Sequence, residues 1–158
     1  MRKLLTSGLA VFAGMLSLPA GVSPTQTRSV SVPSHHDDPR LKTLQKFFRR
    51  AGCPAQNYSD VFLEAADVYE LDWRLLPSIS FIESTGGKLA KNNNFFGWDS
   101  GRVDFASPTA AIHAVGYRLA HSDLYRDKDV DGILATYNPN ADYAAKVKSV
   151  MRRISPSE

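Results

Sequence analysis

The sequence predicts a mostly helical fold, all-α apart from one small β-hairpin, with about six helices packed around a groove. Three observations carry this. Apolar residues recur at spacings of three and four in one segment after another, helix-capping residues stand at the starts of these segments, and Gly or Pro closes several of them. Each pattern gives a helix one apolar side, which is stable only when buried against its neighbours.

The first helix is expected to begin at Asp38 and Pro39, a capping residue followed by a proline at the first helical position. It carries Leu41, Leu44, Phe47 and Phe48 inward, and Gly52 and Pro54 stop it. Ser59 is expected to cap a second helix that runs to about Tyr69, with Phe62, Ala65, Ala66 and Tyr69 on one face. Asp72 caps a third, in which Leu75, Ile79 and Ile82 form an apolar stripe and Leu76, Ser80 and Glu83 the adjacent row. Glu83 therefore borders the buried face. Pro77 is expected just beyond the first turn, where it removes a backbone bond and bends the helix, and Gly86-Gly87 ends it.

From Asn92 to Phe105, turn residues flank a run of aromatics, the pattern of a loop leading into a short hairpin that turns at Ser100-Gly101. Ser107-Pro108 opens a fourth helix to about Ser122, with Ala111, Ile112, Val115 and Leu119 inward. Asp129 or Asp131 starts a shorter fifth through Ile133, Leu134 and Tyr137. After the break at Asn138-Pro139-Asn140, Asp142 begins the sixth, with Tyr143, Val147, Val150, Met151 and Ile154 on its inner side.

Ahead of these helices, Arg2 and Lys3 precede an apolar run from Leu4 to Leu18, the order of a secretory signal. The expected organisation is a signal peptide over residues 1–22, a flexible leader over 23–38 and one domain over 39–158. The apolar run is shorter than the roughly 20 residues a spanning helix needs, so no membrane span is expected after cleavage. The location expected is the cell envelope, periplasmic or secreted. His35-His36-Asp37-Asp38 reads as a solvated linker, since adjacent polar residues on a mobile segment lack a fixed ligand geometry. No metal or cofactor is expected.

The chain has 19 basic and 16 acidic residues; without Arg2 and Lys3 the basic count is 17, close to neutrality. The dense basic stripe that nucleic-acid binding requires is missing, so no nucleic-acid partner is expected. Arg49-Arg50 and Arg152-Arg153 read as helix-end charges. Cys53 is the only cysteine, which excludes an internal disulfide. Between Gly52 and Pro54, with no histidine beside it, it reads as a small, partly buried residue.

Among Glu64, Glu70, Glu83 and Glu158, only Glu83 adjoins an aromatic, glycine-bounded loop. Ile79, Ile82, Phe95 and Phe96 are placed to keep water from its carboxyl and so raise its pKa, as a proton donor near neutral pH requires. In order along the chain come Ile82-Glu83-Ser84, Asn93-Asn94-Phe95-Phe96-Gly97, Ala110-Ala111-Ile112 and Tyr137-Asn138-Pro139. Together, over about Leu71 to Ile154, they resemble successive blocks of the lysozyme superfamily of peptidoglycan enzymes, lytic transglycosylases and bacterial glucosaminidases. The Gly-Leu-Met-Gln block common in soluble lytic transglycosylases is lacking, while Asn-Asn-Phe-Phe-Gly is similar to the Asn-Asn-Leu-Phe-Gly of glucosaminidases.

The resemblance implies a lysozyme-like α+β domain that cleaves β-1,4 MurNAc–GlcNAc bonds of peptidoglycan strands, with Glu83 as general acid. In a lytic transglycosylase the same glutamate then acts as base toward the muramic C6 hydroxyl, giving a 1,6-anhydro product. It also implies a catalytic part for Tyr137 and substrate contacts for Ser84, Asn94, Phe95, Phe96, Trp98 and Asn138. A hydrolase, either N-acetylglucosaminidase or muramidase, would add a second carboxylate, for which Asp99 and Asp104 are the candidates. The residues themselves leave alternatives open. Phe95, Phe96 and Trp98 fit a sugar groove or the core, with one side of the run expected inward, Glu83 a catalytic role or a plain helix end at the surface, Asn94 an N-acetyl contact or a turn, Tyr137 a catalytic or a buried structural role, and Asp99 and Asp104 turns or ion pairs. A non-catalytic glycan-binding module or a structural piece of an envelope machine remains the alternative from outside the enzymes, and an envelope protein partner is a further expectation.

Overall fold

A computed structural model describes residues 35–156 of the 158. The expected signal peptide and most of the leader lie outside the described residues. These residues form six helices: α1 Pro39–Ala51, α2 Ser59–Val68, α3 Leu75–Ser84, α4 Pro108–His121, α5 Val130–Tyr137 and α6 Ala141–Ile154. None of them is long and apolar enough to cross a membrane.

Local chemistry explains most of the boundaries. Asp38 accepts the Arg40 N–H at 2.8 Å ahead of α1, and Gly52 closes that helix with a left-handed backbone, φ 60°, so that the Gly52 and Cys53 N–H groups reach the Arg49 and Phe48 carbonyls. The last leader residues already pack on the domain. His35–Asp37 make a 3-10 turn, the His35 ring lies 3.0 Å from the Asp67 carboxylate, and Arg40 bridges Asp38 and Asp67. Ser107 and Asp129 cap α4 and α5 through the Ala110 and Gly132 N–H groups.

Three expected starts are corrected. Ser59 is the first residue of α2 and not its cap: a 3-10 turn, Pro54–Tyr58, runs into the helix, and the Ser59 hydroxyl turns back to donate to the Gln56 carbonyl. Asp72 caps a turn ahead of α3 by accepting the Arg74 N–H. Because α3 begins at Leu75, Pro77 sits at its third position, where the N–H would have no intrahelical partner, and the expected bend loses its cause. Asn140 and not Asp142 caps α6, accepting the Asp142 N–H at 2.9 Å.

The core gathers on α3, whose residues Leu75 to Ser80 are buried in unbroken succession. It packs on α6 and α2, while α1 lies against α2 and α6 and α4 against α2. Phe48 stacks on Phe62, and Phe62 meets the edge of Phe96. A large side chain fully buried in this way contributes about 1.5–3 kcal/mol.

The expected hairpin is absent: among the described residues there is no strand, and 92–105 is a run of turns. Asn92, Asn93, Gly97, Asp99, Ser100 and Gly101 all have φ between 52° and 78°, the opposite side of backbone space from an extended strand. The segment folds round the buried side chain of Asn94, which donates to the carbonyls of Trp98 at 2.9 Å and Val103 at 3.3 Å and accepts the Trp98 N–H at 2.9 Å. Asn94→Ala strands these groups, each costing about 1–3 kcal/mol when left unpaired in the interior. The expected result is a lower melting temperature together with altered Trp98 fluorescence; an unchanged melt would count against Asn94 as the fastener.

Candidate active site

The C-terminal end of α3 delivers Glu83. The helix stops one residue later because Thr85 takes a left-handed backbone, φ 55°, and its N–H caps the Phe81 carbonyl. The chain then doubles back over the helix end. Two glycines make this approach feasible: a Cβ on Gly87 would lie 2.6 Å from the Phe95 ring, and one on Gly97 would lie 2.9 Å from Glu83 Oε2. The loop backbone thus passes directly over the carboxyl group.

Glu83 is half-buried. Burial raises its pKa above the ordinary carboxylic range, against a smaller downward pull from the Tyr143 hydroxyl, which donates to Oε1 at 2.7 Å. Tyr143 is itself pushed upward, first by its own burial and then by its bond to Glu83, so it stays a donor at any ordinary pH. Tyr137 stacks on Tyr143 with ring centroids 5.9 Å apart and planes 5° from parallel. Its hydroxyl donates to the Phe96 carbonyl at 2.6 Å, and burial raises its pKa as well. The tyrosine hydroxyl on the glutamate is therefore that of Tyr143, where the sequence pointed to Tyr137.

Glu83, Trp98, Tyr137 and Asn138 line one cleft of about 580 Å³. Trp98 is half-buried, its ring 5.6 Å from that of Tyr137, with Tyr125 6.3 Å away on another side. The Arg118 guanidinium lies over the Trp98 ring, 5.3 Å from its centroid, and both Arg118 and Tyr125 line the same cleft. Asp99 also borders it, exposed and paired with Arg102, whose hydrogen bond holds that carboxyl below its usual range. Asp104 is exposed and lines none of this cleft.

Four expected substrate contacts are corrected, because their side chains build the support behind the cleft. The Ser84 hydroxyl is buried, donating to the Phe95 carbonyl at 2.7 Å and accepting the Gly87 N–H at 2.9 Å. Asn94 is spent on its own loop. Phe95 packs edge-on to Tyr58 and Phe96 to Phe62, and neither ring is more than 4 % exposed. The alternation of a strand would have turned one phenylalanine outward; the turns that replace it send both inward.

Sequence reasoning missed Tyr143, Tyr125 and Arg118 as site residues. The signal for Tyr143 was its inward position six residues after Tyr137, across the break that separates α5 from α6. For Arg118 and Tyr125 there was none, since only the fold of α4 and the following loop beside Trp98 gives them a place. Among the described residues, no group of three or more His, Cys, Asp or Glu side chains is arranged to hold a metal ion. Cys53 is buried, its thiol pushed up in pKa by that burial.

The fold and site define a helical protein with a half-buried carboxyl group, braced by a tyrosine, in a cleft walled by aromatic rings. Compared with known protein families, curated proteins and solved structures, the chain matches none.

Proposed function

We propose that this chain is an exported enzyme that cleaves peptidoglycan glycan strands at β-1,4 MurNAc–GlcNAc bonds, of the lytic transglycosylase type, with Glu83 as general acid and base. The observation that carries this is the Glu83 carboxyl: half-buried, raised in pKa by that burial, and held in one orientation by Tyr143 at the wall of an aromatic cleft. A carboxylic acid that holds its proton to higher pH than an ordinary carboxyl group is better suited to protonate a glycosidic oxygen. Trp98, half-buried in the cleft wall, offers an apolar ring to the C–H face of a pyranose.

In this scheme the Glu83 proton passes to the glycosidic oxygen as the bond to C1 breaks and positive charge develops on the sugar. The Glu83 carboxylate then takes the proton of the muramic C6 hydroxyl as O6 closes on C1, which restores the acid and leaves a 1,6-anhydro end without water. Tyr143 donates to Oε1 and so favours the carboxylate that exists between the two steps. Asp99 supports the single-carboxylate chemistry over the hydrolytic alternative, since it stands exposed and already paired with Arg102. Digestion of purified peptidoglycan tests the proposal. Anhydro ends and reducing ends differ by one water in mass; reducing ends would mean a hydrolase, and no release a glycan-binding module.

The pH dependence has a defined sign. General-acid activity is lost as pH rises through the folded pKa of Glu83, and burial places that limb above the ordinary carboxylic range. Tyr143→Phe removes the hydrogen bond that lowers this pKa, so the basic limb of the pH–rate profile is expected to move to higher pH. A limb that stays in place would show that Glu83 does not set it.

A further inference from the structure

The catalytic cleft does not end at Trp98. A second cavity, about 510 Å³, is lined by α4, and Trp98, Val103 and Arg118 line both spaces. Its wall is apolar, with Phe105 and Val115, and Tyr117 stands at its edge 59 % exposed. Arg118 is the only cation among the described residues that line either cavity, and it has no ion-pair partner among the described residues. A position in the last turn of α4 accounts for a basic residue there. It does not account for a guanidinium laid over the indole that both cavities share.

We propose that this second cavity is a binding site for a carboxylate-bearing acyl or peptide substituent of a sugar held in the cleft, with Arg118 receiving the carboxylate. The inference rests on the glycan-cleaving function proposed above and names the part of the substrate that this end of the site selects. A guanidinium presents paired N–H donors that match a carboxylate, and stacking on Trp98 leaves less side-chain freedom to lose on binding. The apolar wall beside it suits the methyl and methylene groups that join such a carboxylate to a sugar.

The test uses two probes that differ in this group: N-acetylmuramyl-L-alanyl-D-isoglutamine, which carries a carboxylate, and chitotriose, which carries none. Their affinities are measured by calorimetry for the wild type, Arg118→Gln and Arg118→Lys, with melting temperatures recorded for each. Arg118→Gln is expected to weaken the muramyl dipeptide about tenfold, as for a lost hydrogen bond to a charged group, and to weaken chitotriose, which has no carboxylate to lose, by much less. Arg118→Lys is expected to recover part of the loss, and added salt to reduce the wild-type preference. Equal weakening of both probes would overturn the proposal by showing that Arg118 only holds Trp98 in place. No weakening of either would overturn it too. Failure of the wild type to bind either probe is a separate result, which overturns the glycan function itself.

Discussion

Replacing Glu83 with glutamine is expected to lower glycan-strand cleavage by about two to four orders of magnitude, the usual contribution of a general acid. Glutamine keeps the length and shape of the side chain and still accepts the Tyr143 hydroxyl, but it has no proton to transfer. The burial of the carboxyl group also makes its ionised form unfavourable in the folded state. Below the unfolded pKa both wild type and variant are neutral at this position and should be equally stable. As pH rises from there through the raised folded pKa, the wild type loses stability that the variant keeps. Glu83→Gln should therefore melt higher than the wild type at neutral pH while being nearly inactive. Wild-type turnover in the folded variant would refute the assignment, and the Asp99→Asn protein provides the contrast: a comparable loss there would move the chemistry toward a two-carboxylate hydrolase.

Phe96→Ala is expected to destabilise the fold by about 3–5 kcal/mol, the range for deleting a fully buried aromatic side chain. For a domain of this size that is a fall of roughly 10–20 °C in melting temperature. Phe96 is wholly buried against Phe62, and its carbonyl holds the Tyr137 hydroxyl, so the damage reaches the cleft wall as well. Thermal melts together with chitooligosaccharide binding distinguish this from a sugar-stacking role. A ring that touches substrate would lose binding with its melt intact; a ring in the core loses its melt first.

These two residues mark how far the site was legible in the sequence. Glu83 stood out because a lone glutamate at a helix end, beside a glycine-bounded aromatic loop, is itself a local pattern. Phe95 and Phe96 were left between groove and core because their environment depends on the backbone of residues 92–105. The aromatic residues there fit a strand as well as they fit a loop, and the buried amide of Asn94 fastens the loop. Tyr137 and Tyr143 were exchanged for a related reason. Both were expected inside, but which hydroxyl meets the carboxyl depends on how α6 crosses α3, a contact between segments 60 residues apart.

By itself the sequence determined the helical class, the order of the six helices, the inner faces of α1, α4 and α6 and the glutamate at the end of α3. It could do so because periodicity, capping residues and glycine stops act within a few residues of one another, with free energies set locally. Tertiary structure alone decided that the aromatic segment is a loop closed round Asn94, that Tyr143 braces Glu83, and that Arg118 lies over Trp98 in the lining of two cavities. Those outcomes depend on which distant groups share a buried or half-buried space, where a hydrogen bond or a desolvated carboxyl gains its strength from neighbours that no short stretch of sequence contains.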